Sequence, residues 1–575
     1  MTQQLAVVDR VRQAFGRGRL AQLLVVSISL IAIAWLALVP LTRLLYGTFV
    51  ENGHFTFEAF SRAYGSFPLE ALISNSLVFA IGATLLSVVI GTVLAYITER
   101  TDAPMRPLIF VAVLAPFIIP GILYNIAWVF IGSPRIGLLN TMLSPIVDAP
   151  VVDVFTMSGL ILVEGMSNAP IAFLLMMAAF RAMDPSLEDS AVMSGARVFT
   201  VIRRITLPLV VPAIAAAALL LMVASIATFE TPAVLGIPGG IWVFTSRIYQ
   251  VLGQFPVDYG QAGAYGVSLM ILCTLGMLAY YRLTNSGKRY QTISGKGFRP
   301  RRVQLGRWRW PVALATFGYF GISVLLPLFM LLWVSLQPYT RMPSADALAT
   351  LTLDNFRVIF ENEVVLGSFW NSTLLGVGSA TVVMFITAVA AWVVVKTQIR
   401  GRWLVDNLTF IPLVFPGLVL GVALLFVYLR SPIPGIYGSL WILLIAYCTG
   451  LMPIGMRYAV ASMFQISNEL EESAHTSGAT WGQTLRRVVI PLIGPGLLAG
   501  WIFIFVVSIR QMSTPLLLYS PGSEVVSITI WELYETGQFG ALAALGILII
   551  AVLVVLVLLS RMLARRIGMG GFNAV

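Results

Sequence analysis

The sequence has 575 residues, of which 58% are hydrophobic and only 11% are charged, with a mean hydropathy of +0.90. Soluble domains carry roughly 25% charged residues, so this composition excludes a chain that folds in water. The net charge of +11 could indicate a nucleic-acid partner, but most of its 36 lysines and arginines fall in alternate loops, which argues against nucleic acid.

Apolar stretches long enough to cross a bilayer recur along the chain. A helix needs about 20 apolar residues to span a hydrocarbon core of about 30 Å. The sequence predicts twelve such helices, at residues 20–47, 70–98, 107–131, 156–180, 205–229, 261–281, 311–337, 367–395, 403–429, 436–462, 488–512 and 540–559. Because these runs do not alternate in polarity, a β-barrel is excluded and the fold class is an all-α membrane protein.

The positive residues predict the orientation of these helices. They concentrate in the N-terminal tail, in alternate loops and after the last span. By the positive-inside rule, both termini are expected in the cytoplasm, with the chain crossing the inner membrane of a bacterial cell many times.

A segment of the first half occurs again in the second half. LEDSAVMSGARVFTVIRRITLPLVVP, residues 187–212, aligns without a gap on LEESAHTSGATWGQTLRRVVIPLIGP, residues 470–495, and nearly half of the positions are identical. Chance cannot give this agreement, so the chain contains a duplication. Matches further upstream, at a shifted spacing, predict an insertion in the first half near residues 133–153.

The duplication predicts five regions along the chain. They are a cytoplasmic N-terminal tail (1–19), a first repeat of six transmembrane helices (20–283), a basic cytoplasmic linker (284–310), a second six-helix repeat (311–566) and a cytoplasmic C-terminal tail (567–575). Since an even number of helices precedes the linker, both repeats insert in the same orientation, as parallel repeats.

The duplicated segment lies in a cytoplasmic loop, yet it has the pattern of an ordered helix. In the first copy, Asp184-Pro185-Ser186 begins the helix, acidic residues fill its first turn and Gly195 ends it. The pattern predicts a helical segment at about 186–199, with Gly195 as the helix stop, and its counterpart at about 469–482, with Gly478 as the stop.

These residues resemble the cytoplasmic signature of permeases in binding-protein-dependent ABC importers. The matching residues are Glu188, Ala191 and Gly195 in the first copy and Glu471, Ala474 and Gly478 in the second. The resemblance implies that each repeat is a type I importer permease unit and that each loop helix is a coupling helix, docking on a separate ATPase subunit. The alternative is an ordinary ordered loop shaped by its connections.

The resemblance also implies partners and a substrate class. The chain lacks a phosphate-binding GxxxxGK[ST] loop, so it is expected to be no enzyme and to bind no cofactor, with ATP on two partner ATPase subunits that form a homodimer. An extracytoplasmic binding protein is expected to deliver the substrate. The stretches SIATFETPAVLGIPGG and SIRQMSTPLLLYSPGSE most resemble permeases for ferric iron. Permeases for thiamine, an aminophosphonate or polyamines are the alternative.

Two other functional classes fit the sequence less well. A secondary transporter can also have twelve helices in two parallel halves, but it does not need a duplicated acidic loop helix. A membrane enzyme would need a nucleophile with a base, or a cluster of metal ligands. The chain has two histidines, His54 and His475, and places Cys273 and Cys448 in apolar spans, so no catalytic residue and no resident metal site are predicted.

Four charged residues within the spans or at their ends are candidates for a translocation path. They are Glu164 in the fourth span, Glu230 at the outer end of the fifth, Arg457 in the tenth and Arg510 at the outer end of the eleventh. Charged groups are costly in a membrane and often mark a pathway, and a hard trivalent cation favours carboxylate oxygens. The alternative for each carboxylate is a structural role.

Overall fold

The computed structural model describes residues 2–148, 150–184, 186–286, 302–397, 401–429 and 435–566. Its helices are α1 (Thr2–Phe49), α2 (Glu58–Ser66), α3 (Leu69–Arg100), α4 (Arg106–Leu114), α5 (Gly121–Gly132), α6 (Leu138–Leu143), α7 (Met157–Ala182), α8 (Ser186–Met193), α9 (Val198–Val201), α10 (Leu207–Ala227), α11 (Phe244–Leu252), α12 (Tyr259–Ser286), α13 (Arg309–Phe320), α14 (Leu326–Ser335), α15 (Ala345–Leu348), α16 (Asp354–Glu361), α17 (Glu363–Lys396), α18 (Arg402–Phe410), α19 (Gly417–Tyr428), α20 (Leu440–Phe464), α21 (Asn468–Thr476), α22 (Trp481–Thr484), α23 (Ile490–Arg510), α24 (Val526–Glu535) and α25 (Phe539–Arg566). One antiparallel hairpin joins β1 (Val50–Glu51) to β2 (His54–Phe55). Pro185, most of the predicted linker (287–301) and the predicted C-terminal tail lie outside the described residues.

The described helices confirm the prediction of an all-α membrane protein. Ten of them are long and apolar enough to cross a bilayer, and the number of spans is twelve if each of two bent helix pairs counts as one span. Each predicted span falls on one of these, for example residues 70–98 on Leu69–Arg100 and residues 540–559 on Phe539–Leu559.

The predicted third and ninth spans each consist of two helices joined at a sharp bend. The chain bends by 98° between α4 and α5 and by 104° between α18 and α19. Pro116 and Pro120 lie at the first break, and Pro412 and Pro416 lie at the second. Proline has no N–H and its ring clashes with the preceding turn, so a helix kink is expected at these positions. The observed bends are far sharper than a kink, and each starts a new helix.

The two repeats have the same local structure, residue for residue, around the duplicated segment. In the first repeat, α9 leads through one wide π-helical turn, Ile202–Thr206, into α10. In the second, α22 leads through the turn Leu485–Val489 into α23. The preceding membrane helices begin alike as well, because hydroxyl groups of Thr156 and Ser439 accept hydrogen bonds from backbone N–H groups at the starts of α7 and α20.

The insertion expected near residues 133–153 is an ordered connection that contains α6. The buried side chain of Asn140 holds this connection in place by hydrogen bonds. The side-chain oxygen of Asn140 accepts hydrogen bonds from the N–H groups of Val151 (2.9 Å) and Val152 (3.0 Å), and its Nδ2 donates to the carbonyl oxygen of Ser133 (3.0 Å). One amide side chain therefore satisfies backbone groups on both sides of the connection.

The described chain divides into two compact units that do not follow the repeats. The first comprises Met1–Phe55, Glu363–Thr529 and Leu553–Val575, and the second comprises Thr56–Asn362 and Ile530–Val552. In the first unit, α1 packs on α19, with the rings of Trp35 and Tyr428 6.2 Å apart. In the second unit, α14 packs on α5 and α13 packs on α4. The opening helix of each repeat thus packs in the unit that holds most of the other repeat. The boundaries of the repeats themselves stay a prediction from the sequence.

An ion pair joins α2 to the start of α12 at the predicted extracytoplasmic side. Arg62 Nε donates to Asp258 Oδ2 at 2.7 Å, and Asp258 Oδ1 accepts from the backbone N–H of Gln261 at 2.9 Å. Burial raises the pKa of Asp258, but the hydrogen bonds from Arg62 and from the backbone outweigh burial, and the pKa lies below its ordinary value. Burial likewise raises the pKa of Tyr64 on α2, although its hydrogen bond with Ser268 partly opposes that rise.

Candidate functional site

The first copy of the duplicated segment is a short helix with a well-defined end. At its start, Asp184 Oδ1 accepts a hydrogen bond from the N–H of Ser186 at 2.9 Å. At its end, Gly195 has φ +84°, its N–H donates to the carbonyl of Val192 at 2.9 Å, and the N–H of Ala196 donates to the carbonyl of Ala191 at 3.0 Å. This pair of bonds around a left-handed residue is the Schellman motif, which favours glycine.

The second copy ends in the same way. Gly478 has φ +83°, and the N–H of Ala479 donates to the carbonyl of Ala474 at 3.0 Å. The following helix, α22, begins at a reciprocal cap in which the N–H of Thr480 donates to Gln483 Oε1 at 2.9 Å. Both loop helices are therefore formed, but they end at Met193 and Thr476, short of the predicted ends at about 199 and 482, because a glycine at positive φ stops each helix and a separate short helix follows it.

The first copy presents an apolar surface at the predicted cytoplasmic side. Met193 is 82% exposed and Phe199 is 73% exposed, and Leu187 and Val192 are exposed beside them. In the second copy, Leu470 is exposed, and residues Thr480, Gly482, Gln483, Arg486 and Arg487 line an open depression of about 480 Å³. Exposed large apolar side chains on an ordered loop are typical of a protein-protein contact.

Glu188 does not belong to this exposed surface, although it is part of the signature. The residue is buried, its Oε2 lies 3.3 Å from Nη2 of Arg100, and its Oε1 accepts a hydrogen bond from Thr206 Oγ1 at 2.5 Å. Glu188 therefore holds α8 against its own membrane helices. The side chain of its counterpart Glu471 lies outside the described residues.

Arg100 and Thr206 are residues of this site that sequence reasoning missed. Arg100 is the last residue of α3 and is 1% exposed. The signal that could have identified it is the equivalent position of the second repeat, Lys396, the last residue of α17, whose Nζ donates to the carbonyl of Ile466 at 2.7 Å. A basic residue thus ends the second span of both repeats. Thr206 gives no such signal, because Val489 takes its place.

Glu164 has polar partners within its own repeat. It is buried on α7, where its Oε2 accepts from Thr231 Oγ1 at 2.6 Å and its Oε1 accepts from Asn168 Nδ2 at 2.9 Å. Asn168 Nδ2 also lies 3.3 Å from Ser225 Oγ. This network ties α7 to the end of α10 and to the chain that follows it. Hydrogen bonds of this kind are what a buried carboxylate requires.

The other three candidate path residues have distinct surroundings. The carboxylate of Glu230 lies against Gly121, the first residue of α5, where no room is left for a Cβ atom. The guanidinium of Arg457 lies 4.1 Å from the centre of the Phe410 ring. Arg510 ends α23 and is half-buried. The assignment of all four residues to a translocation path stays a prediction.

Comparison with known proteins places the chain among transport proteins. The family model described as "Binding-protein-dependent transport system inner membrane component" matches residues 87–289 and again residues 383–569, together more than half of the chain. Each match covers one of the two duplicated segments.

Three similar proteins carry names that refer to ferric iron. "Putative ferric transport system permease protein FbpB 1" of Haemophilus influenzae is 28% identical over 64% of this chain, and the chain spans only 58% of that protein. "Ferric transport system permease protein FbpB" of Actinobacillus pleuropneumoniae is 25% identical over 87% of this chain and 72% of its own length. "Fe(3+)-transport system permease protein FbpB 2" of Haemophilus influenzae is 23% identical over 81% of this chain and 85% of its own length.

The tandem match of the family model, the many apolar helices and the repeated loop helix all indicate a membrane-embedded component of a transport system. The chain belongs to the family of binding-protein-dependent transport system inner membrane components, and it is a multi-pass inner-membrane permease with two type I importer units in tandem.

Proposed function

We propose that this chain is the permease of an ATP-driven importer for ferric iron. An extracytoplasmic binding protein delivers the ion, and two separate ATPase subunits drive alternating access. The observation that carries this proposal is the pair of loop helices with the same glycine-ended geometry, because a permease with two units needs two equivalent contacts for two ATPases.

The structure of the first loop helix and of the short helix after it suits this task. An apolar surface that includes Met193 and Phe199 is available to a partner, while the carboxylate of Glu188 is fixed to Arg100 and Thr206 inside the permease. A push on the exposed side of α8 is therefore passed to the end of α3 and to the start of α10. When ATP closes the two ATPases, the two loop helices move with them, and the membrane helices change the side to which the path is open.

The similar proteins support ferric iron as the substrate. Two proteins with ferric names match the chain over 87% and 81% of its length, so the likeness includes both repeats. Glu164 and Glu230 provide oxygen atoms of the kind that a trivalent cation prefers. Thiamine, an aminophosphonate and polyamines are the alternative substrates against which ferric iron is to be tested.

The test is uptake into proteoliposomes that contain the permease together with its partner ATPase and binding protein. Radiolabelled ferric iron should enter only with ATP and with the iron-loaded binding protein. A non-hydrolysable ATP analogue is the control, and it should give no uptake. Uptake of thiamine, an aminophosphonate or a polyamine in place of iron would refute the assignment of ferric iron as the substrate. Uptake driven by an ion gradient without ATP would refute the importer class.

A further inference from the structure

The end of α3 holds a buried positive charge that depends on the first coupling helix. The side chain of Arg100 is 1% exposed, and its charged neighbour is Glu188, with Nη2 3.3 Å from Oε2. Its Nε and Nη1 atoms are buried without a hydrogen-bond partner among the described residues. A buried cation is very costly without its counter-ion. Hence α8 cannot shift away from α3 unless the pair separates, and the two helices are expected to move together.

The carboxylate of Glu188 also connects this pair to α10. Its second oxygen, Oε1, accepts the hydrogen bond of Thr206 Oγ1 at 2.5 Å. Thr206 is the last residue of the wide turn that leads into α10. One side chain of the coupling helix thus contacts the end of one membrane helix and the beginning of another.

The backbone of the same arginine is bonded to the end of the inter-repeat linker. The N–H of Val303 donates to the carbonyl of Arg100 at 2.8 Å, and the N–H of Asp102 donates to the carbonyl of Val303 at 3.2 Å. The N–H of Leu305 donates to Asp102 Oδ1 at 2.9 Å. Leu305 also packs against the apolar cluster that includes Leu94 on α3. Three hydrogen bonds and an apolar contact therefore fix the linker to the turn after α3.

The chain continues from this fixed point directly into the second repeat. After Leu305 comes one 3-10 turn, Gly306–Trp308, and α13 begins at Arg309. No slack chain separates the bonded residues from α13, the first helix of the second repeat. A displacement of the turn after α3 must therefore displace the start of α13.

We infer that Arg100, Asp102, Glu188, Val303 and Leu305 form a joint, here called the Arg100 joint, that transmits displacement of the coupling helix both to α3 and to α13. Residues 302–305 of the linker are thus positioning residues of the transport cycle and more than a tether between the repeats. The inference rests on the proposed function, since it requires that α8 is moved by an ATPase.

The test uses two substitutions of Asp102 in the complete complex of permease, ATPase and binding protein. Asp102→Ala removes the acceptor for the N–H of Leu305, whereas Asp102→Asn keeps an oxygen at that position. In proteoliposomes with radiolabelled ferric iron, Asp102→Ala should lower binding-protein-stimulated ATP hydrolysis and iron uptake roughly two- to tenfold, the value of one hydrogen bond. Basal hydrolysis and the amount of ATPase that copurifies should not change. Asp102→Asn should behave like the wild type.

A second pair of variants tests the backbone bond. Val303→Pro removes the N–H that bonds to Arg100, and Val303→Thr keeps it with a side chain of similar shape. Proline should reduce the stimulated activity and threonine should not. If Val303→Pro does not reach the membrane, the Asp102 pair decides the question.

Two results would overturn the inference. One is wild-type stimulation of ATP hydrolysis in Asp102→Ala, which would show that the Arg100 joint only packs the linker against α3 and transmits no displacement. The other is loss of the ATPase from the purified complex, which would mean that these residues support docking and not transmission. A wild-type complex that shows no ATP-dependent iron uptake would instead count against the proposed function, so the two failures are distinguishable.

Discussion

A side chain at Gly195 or Gly478 should weaken ATPase binding through the backbone alone. The two residues have φ values of +84° and +83°, in the left-handed region. A Cβ atom built on either glycine meets no other atom within 4 Å, so the permease itself offers no steric obstacle to a larger residue. The left-handed conformation costs a residue with a Cβ roughly 1–2 kcal/mol, whereas asparagine adopts it more readily. The substitutions to compare are therefore Gly195→Val and Gly195→Asn, with the same pair at Gly478.

The size of the effect follows from that strain. If the ATPase recognises the helix only with its end formed, a loss of roughly 1–2 kcal/mol lowers the apparent affinity about 5- to 30-fold. The valine variants should show this loss, because a β-branched residue is poorly accommodated at positive φ. The asparagine variants should remain within about threefold of the wild type. The measurement is ATPase retained by detergent-purified permease over a range of ATPase concentrations, with stimulated ATP hydrolysis recorded in parallel.

Two outcomes would contradict this reasoning. Equal retention by valine and wild-type permease would show that the glycine-ended geometry is not needed for docking. Equal damage by asparagine and valine would assign the effect to contact with the partner surface and not to backbone strain. The amount of each variant in the membrane is the control for folding.

Three further predictions concern other parts of the molecule. Glu164→Gln and Glu230→Gln should each reduce iron uptake per permease molecule more than they reduce permease abundance, and unchanged uptake per molecule would leave both as structural residues. A cysteine placed at Ser294 should not react with an impermeant reagent in intact cells, because the linker is expected in the cytoplasm; reaction would refute the topology. Asp258→Asn should lower the thermal midpoint of unfolding at pH 7. Because the pKa of Asp258 is lowered in the fold, its ionised carboxylate stabilises the protein above about pH 4 and this contribution is lost as the pH falls further. The difference in thermal midpoint between the variant and the wild type should therefore disappear below that pH. With both side chains of the Arg62–Asp258 pair about a third exposed, the effect should stay below about 1 kcal/mol, and a pH-independent difference would contradict it.

The sequence predicted the membrane helices well because their signal is local. A run of about 20 apolar residues is sufficient to identify a span, and the predicted and observed bounds differ by a few residues in most cases. The breaks of the third and ninth spans were only partly predictable. Pro116 and Pro412 mark where a helix must be interrupted, but the angle depends on the helices packed around the break. The packing of α1 on α19 has no local signal at all, since it joins residues far apart in the chain.

The same distinction holds at the coupling segment. The acidic first turn and the terminal glycine of α8 are local features, and the helix with its positive-φ end is found where the pattern predicts it. The equivalent Lys396 could have marked Arg100 as a repeated basic position, but the pairing of Arg100 with Glu188 could not be predicted from the pattern, because Arg100 lies far upstream in the chain. Its burial depends on how α3, α8 and α10 meet, which no single segment encodes.

Under the proposed function, the segment from α8 to α9 combines two tasks. Gly195 ends the helix in a region that is open to a partner, while Glu188 faces inward to Arg100 and Thr206. A segment that only docked would need no buried carboxylate, and a segment that only braced the permease would have no reason to leave Met193 of α8 and Phe199 of α9 exposed. A segment that passes force from one protein to another needs both an exposed docking surface and a buried anchor. If the docking surface moved without the anchor, the membrane helices would not move with it. Under the proposed function, the inward-facing carboxylate of Glu188 and the outward-facing apolar surface of α8 and α9 are the two ends of one mechanical connection.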